Sequence, residues 1–315
     1  MHKRSLFLGA TIAAGWSTGL SLIFGMTVIA ERGLIPFAIW GFFNAFALTF
    51  FGLLIFKFPS IFNVADSKYI KWFTVLVKVF SIWIQMSAIY EIGMMAGMSS
   101  GVAMIVAYAT GFIFISAMYW VGLNGSMFSD QFQWYLGSAA VLVLIVLGLQ
   151  SGGYAVREWG TSYNILWAVY TGFLLLSGPI VDLQNWQRAR IVYKEKLKPA
   201  YLYGSLLFLF YMALVFFAGM FEMTNIMLIF VFIVCWLNGT STMDSDAVAL
   251  HEVRSKKTGF IIGLATVISW WIVRVIGYFD LWQIIANLRF YFALAIVIGA
   301  VYLTKKSQNQ GGSSA

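Results

Sequence analysis

Long apolar runs follow one another from one end of this chain to the other, parted only by short polar stretches. A helix crossing ~30 Å of hydrocarbon needs about 20 apolar residues. Runs of that length fall near 5–30, 34–57, 70–97, 99–122, 134–156, 162–187, 200–220, 225–250, 258–279 and 281–304. The pattern predicts an all-α membrane protein of ten transmembrane helices with short loops. The first run follows the basic His2-Lys3-Arg4 and continues past Gly15 to about Ala30, so an uncleaved first helix is expected rather than a signal peptide. The stretch 305–315, ending in Gly311-Gly312-Ser313-Ser314-Ala315, reads as a flexible tail or tag scar.

Two of the runs are interrupted at mid-span. The first carries Ala13-Ala14-Gly15-Trp16-Ser17-Thr18-Gly19, and the sixth carries Ser177-Gly178-Pro179 inside an otherwise apolar segment. Glycine tolerates backbone angles a helix does not use, and proline removes an amide hydrogen. The freed backbone groups must find partners among neighbouring helices, water or a ligand. Each break alone also has an ordinary reading, as close helix packing or a simple kink. Breaks five helices apart divide the chain into 1–158 and 159–304, two five-helix repeats of opposite orientation. Paired interruptions of this kind point to an inverted-repeat transporter with a site at the midplane.

Composition changes the picture little. Hydrophobic residues are 61% and charged residues 10% of the chain, too few charges to cover a water-facing surface. The net charge of +8 lies mostly on one face. Lys3, Arg4, Lys57, Lys68, Lys71, Arg188, Arg190, Lys194, Lys196, Lys198, Arg254, Lys256, Lys257, Lys305 and Lys306 share that side, which is 15 of the 20 basic residues. Arg32 and Arg157 lie opposite, and Lys78, Arg274 and Arg289 fall within spans. The positive-inside rule then puts both termini in the cytoplasm, with a prokaryotic inner membrane as the expected location. Topology thus accounts for the basic charge without nucleic acid. A single cysteine, Cys235, excludes intramolecular disulfides, and the absence of a phosphate loop, a Ser-His-Asp grouping or a His/Cys ligand cluster argues against an enzyme.

The eighth span contains Asn238-Gly239-Thr240-Ser241-Thr242-Met243-Asp244-Ser245. Positions i, i+3 and i+4 share a helix face, which aligns the Asn238 carbonyl with the Ser241 and Thr242 hydroxyls. Gly15 and Thr18 of the broken first helix can add two carbonyls. Such a set of neutral oxygens suits Na⁺, although Ser and Thr in helices also bond their own i−4 carbonyls.

Ser241-Thr242-Met243-Asp244-Ser245 resembles the Ser-Thr-Ala-Asp-Ser signature of the sodium/solute symporters. Asp182-Leu183-Gln184-Asn185-Trp186-Gln187-Arg188 is similar to that family's Asp-Gln-x-x-Trp-Gln-Arg stretch, with Leu183 departing from it. Ile23-Phe24-Gly25-Met26 resembles its Phe-Ile-Gly-Met sequence after the first break. The resemblance implies the ten-helix inverted-repeat fold named after the bacterial leucine transporter, with Na⁺ as the coupling ion. Proton-using relatives of that fold carry a lysine on helix five; none lies between Leu136 and Tyr154.

A small-molecule pocket walled by helices one, three and six mixes aromatic faces with a few polar anchors. Trp16, Ser17, Gln85, Tyr90, Glu91, Tyr170 and Ser177 are its candidate contacts. Glu91 also reads as lying near the outer mouth or pairing with Arg289, and Lys78 and Arg274 as snorkelling to the interface. Asp182 and Asp244 read as ion-pair partners of Arg188 or Arg254. The expected function is Na⁺-coupled symport of a small polar organic solute by alternating access. A transporter-like membrane sensor, and proton-coupled or uncoupled transport, are the competing readings.

Overall fold

A computed structural model describes residues 5–192, 194–276 and 278–311. Lys3, Arg4 and the 312–315 end lie outside those residues, as do the side chains of Lys194, Arg274 and Lys306. The described chain is helical, and an isolated antiparallel bridge joins Tyr154 to Phe221.

The first run forms α1 (Ser5–Trp16) and α2 (Leu20–Arg32), bent by 64° where they meet. α3 (Leu34–Lys57), the short α4 (Ile61–Ala65) and α5 (Lys68–Met95) follow. α6 (Ser100–Ser151) is a 52-residue run with one non-helical residue, Gly122, at φ 68° and ψ −163°. The sixth run divides into α7 (Ser162–Leu176), a 3-10 turn (Pro179–Val181) and α8 (Leu183–Arg190). α9 (Lys194–Ala218), α10 (Asn225–Leu250), α11 (Lys256–Ile268), α12 (Trp271–Ile276) and α13 (Tyr278–Gly311) complete the order. Among the described residues seven helices are long and apolar enough to cross a membrane, or eight when the bent pair is counted as one span.

Two expectations meet a different arrangement. The polar stretch between 122 and 134, expected as a loop, is helical, and its Ser126, Asp130 and Gln133 are buried. Partners inside the protein make this possible: Arg188 and two serines engage Asp130, and Gln133 donates to Thr240 at 3.1 Å. The ninth run is two short helices, α11 and α12, parted at Ser269-Trp270, where Ser269 Oγ donates to the Ala265 carbonyl at 2.7 Å.

α10 packs against α5 and α6, α1 against α9, and α3 between α7 and α9. Phe51 seals one side of the core, its ring centroid 5.0 Å from that of Trp186 and 5.2 Å from that of Tyr201, both edge-on. Outward-facing side chains such as Ile105, Trp120, Phe128 and Leu166 are large and apolar, as a lipid-facing surface requires.

Candidate functional site

The first break has a local cause. Ser17 Oγ turns back onto the Ala13 carbonyl at 2.8 Å, and the Gly19 amide leaves the helical ladder to donate to Gln85 Oε1 at 2.8 Å. Gly19 also lies against α10: a Cβ there would stand 2.8 Å from the Cys235 carbonyl oxygen and 2.9 Å from Gln85 Oε1. A larger residue would push the helices apart.

At the second break Pro179 supplies no amide hydrogen, and the chain passes through the 3-10 turn. Asp182 then caps α8, accepting the Gln184 amide at 3.0 Å. The Trp186 indole donates to the Ile180 carbonyl at 2.9 Å. The two breaks face each other: a Cβ on Gly178 would meet the Trp16 ring at 2.4 Å.

Between them lies a cavity of about 160 Å³. Gly15, Trp16, Thr18, Ser21 and Phe24 line it from the first broken helix, and Thr171, Leu175, Gly178, Asp182 and Gln184 from the second. α3 adds Trp40 and Asn44, α5 adds Lys78, Ser81 and Gln85, α10 adds Thr242, and α13 adds Ile285 and Arg289. Trp16 is held in place by its indole, which donates to Asn44 Oδ1 at 2.8 Å.

Of the expected solute contacts, Trp16 and Gln85 line this cavity. The others are placed elsewhere, each with a reason. Ser17 and Ser177 spend their hydroxyls on the carbonyls of Ala13 and Leu174. Tyr90 bonds Ser100 at 2.8 Å and packs edge-on to Trp270. Glu91 is exposed, and Tyr170, 56% exposed, donates to Asn287 Oδ1 at 3.1 Å.

Of the expected cation oxygens, Gly15, Thr18 and Thr242 border the cavity together. The Asn238 carbonyl accepts the Thr242 hydroxyl at 3.0 Å, and Ser241 donates to Asp130 Oδ1 at 2.9 Å. Gly15's own carbonyl accepts Gln184 Nε2 at 2.9 Å. Carbonyl and hydroxyl oxygens at the border of one space fit a hard monovalent cation. A protein cation also stands beside them, since a Cβ on Gly15 would lie 2.6 Å from both Nη1 and Nη2 of Arg188.

Buried ion pairs frame the site, and they correct several expectations. Lys78 does not snorkel; it is 1% exposed and bridges Asp182 Oδ1 at 2.5 Å and Asp246 Oδ1 at 2.6 Å. Asp182 therefore pairs with Lys78 rather than Arg188. Arg188, counted as a cytoplasmic loop charge, is 2% exposed and pairs with Asp130 Oδ2 at 2.6 Å. Ser245 Oγ also lies within hydrogen-bond reach of both Asp130 oxygens. Asp244 accepts Ser129 Oγ at 2.6 Å instead of meeting a cation. Arg289 Nη2 donates to the Gly178 carbonyl at 3.2 Å, and Glu91 is not its partner. In each case burial forces the choice, because a desolvated charge persists only beside an opposite charge or hydrogen-bond partners.

Sequence reasoning missed Asp130 and Asp246 as site framework. A lone lysine within the apolar Val75 to Ile84 stretch of α5 was the available signal that a buried acid must answer it. At the end of α8 the charges are solvated: Arg190 reaches Asp66 at 2.7 Å and Glu252 at 3.4 Å. Partial burial pushes Glu252 above the usual carboxylate range, against the pull of Gln187 and Arg190.

Fold and site together define an all-helical integral membrane protein with a solvent-sized cavity between two broken helices. No protein-family model matches the chain, and no curated protein matches it in sequence. Among solved structures it is similar to the substrate-bound outward-open state of a Na⁺-coupled sialic acid symporter. That likeness has a TM-score of 0.63 at 11% identity and covers 96% of this chain and 78% of the symporter.

Proposed function

We propose that this protein is a secondary transporter that moves a small polar organic solute across a membrane by alternating access, with Na⁺ as the coupling ion. One observation carries the reading: both broken helices turn their interrupted backbones and side chains into a single cavity, which Thr242 of the Ser-Thr-x-Asp-Ser stretch also borders. The fold shared with a Na⁺-coupled symporter supports it. In this reading α6 is two spans meeting at Gly122, and α11 with α12 is a further one. That gives ten spans in two repeats, 1–158 and 159–304, with both termini cytoplasmic. Na⁺ is held by the oxygens of Gly15, Thr18 and Thr242, with Asn238 and Ser241 completing the set once their present hydrogen bonds are exchanged.

The deciding measurement is thermal unfolding of detergent-purified protein in NaCl against matched KCl and choline chloride. A ligand that binds only the folded state at 100 times its Kd adds about 2.7 kcal/mol of stability. A sodium-specific rise in Tm is expected, and Thr242→Ala is expected to reduce it at least tenfold in sodium affinity while the protein stays folded. Unchanged sodium affinity in that variant removes the ion assignment. Solute uptake into proteoliposomes separates transport from sensing.

A second reading rests on Arg188. Its guanidinium already stands against Gly15, so it can supply the positive charge there without sodium. Equal Tm in all three salts, with uptake driven by a pH gradient or by the solute gradient alone, favours that reading.

A further inference from the structure

The charged side chains at the cavity cancel one another. Lys78 stands between Asp182 and Asp246 at 2.5 and 2.6 Å, and both acids also act on the partly buried Arg289. Two cations and two carboxylates leave no net charge. An anionic solute therefore finds no spare cation, and a cationic one no spare acid. Either must shed its water without a compensating partner. A zwitterion gains only by prising these pairs apart.

The groups left without partners are uncharged. Asn44 is 6% exposed and Gln85 1% exposed, and each turns its amide oxygen to the first broken helix. The Trp16 indole donates to Asn44 Oδ1 at 2.8 Å, and the Gly19 amide to Gln85 Oε1 at 2.8 Å. Both of those partners are donors, so the orientation of each carboxamide is fixed and its NH2 end is left over. Among the described residues neither Asn44 Nδ2 nor Gln85 Nε2 has an acceptor. The Trp40 indole N–H and the Gln184 amide oxygen are also buried without partners. All four of these residues line the cavity.

The hydroxyls there are engaged: Thr18 and Ser21 bond each other, and Thr171 and Thr242 donate to the carbonyls of Trp167 and Asn238. Apolar side chains, among them Trp16, Phe24, Phe80, Leu175 and Ile285, make up most of the remaining wall. A cavity of roughly 150 Å³ lined by such side chains holds one benzene ring. This one is about 160 Å³.

We propose that the transported solute is an uncharged carboxamide on a single apolar ring, its carbonyl taken by the NH2 groups of Asn44 and Gln85 and its N–H directed at Gln184 Oε1. This rests on the transporter reading above. An amide supplies both an acceptor and a donor and leaves the balance of charge undisturbed. A polyol brings more hydroxyls than these few free groups can satisfy.

The test is thermal unfolding of the purified full chain in NaCl with benzamide, benzoate, benzylamine, phenylglycine and a hexose. Benzamide is expected to raise Tm dose-dependently. The anion, cation, zwitterion and polyol are expected to bind with roughly a tenth of its affinity or less. Asn44→Asp keeps an acceptor for Trp16 and removes the NH2 donor, and Gln85→Glu does the same beside Gly19. Each is expected to weaken benzamide binding about tenfold or more. If neither variant folds, the wild-type series decides alone. An equal or larger shift by a charged compound overturns the uncharged assignment, and one by the hexose overturns the carboxamide class; either leaves the cavity a solute site. Undiminished benzamide binding in both variants overturns the carbonyl anchor. Silence from all five compounds overturns both the assignment and the transporter reading.

Discussion

Lys78→Met is expected to destabilise the protein by about 3–5 kcal/mol, lowering Tm on the order of 10 °C. One ammonium separates two acids, Asp182 at 5% and Asp246 at 0% exposure. Methionine fills similar volume but leaves two carboxylates side by side in a medium that cannot screen them. At least one must then take up a proton, or water must enter. Adding Asp182→Asn and Asp246→Asn to Lys78→Met is expected to recover much of the loss, because the isolated charges rather than the missing contact carry the penalty. Circular dichroism melts of the wild type, the single variant and the triple variant in one detergent would check this. A single variant that melts with the wild type would show that the cluster does not hold the fold.

The second large effect belongs to Asp130→Ala. Arg188 then keeps Ser245 Oγ at 2.9 Å and loses its carboxylate, while its Nε and Nη1 already lack partners. Ser241 and Ser245 lose their acceptor at the same stroke. A cost of about 3–5 kcal/mol is again expected. Combining it with Arg188→Met should cost less than the sum of the single variants, by on the order of 1–3 kcal/mol. Strict additivity would mean that the pair is not energetically coupled. The variants also probe mechanism: with Arg188 gone from the Gly15 side, sodium has less positive charge to oppose it.

The interruptions were legible because their cause is local. Ser17-Thr18-Gly19 and Ser177-Gly178-Pro179 carry in their own backbones the reason the helix stops, and the structure breaks at both. Trp16 and Gln85 follow from being beside or opposite a break. Tyr90 and Glu91 show where helix counting falls short. On α5 the cavity is lined by Val77, Lys78, Phe80, Ser81, Ile84 and Gln85, and Glu91, on nearly the same face as Ile84, lies about 10 Å further along the helix axis. A shared helix face does not place a residue at the depth of the cavity. The ion pairs were less legible still. Lys78 and Asp246 are 168 residues apart, and Arg188 and Asp130 are 58 apart. Hydropathy assigns a lone acid such as Asp130 to a loop, and only the approach of Arg188 on α8 shows the guanidinium that lets it stay inside.

The Lys78 cluster also bears on how this molecule changes shape. Apolar side chains slide past one another with little change in energy over an ångström or so. An ammonium held 2.5 and 2.6 Å from two carboxylates has no such slack. It joins α5 to the C-terminal end of α10 and to the segment after the second break. Those three pieces move as one block, or they part abruptly and re-form elsewhere. In the transporter reading proposed above, travel between inward and outward arrangements is then a snap between two seats rather than a continuous drift.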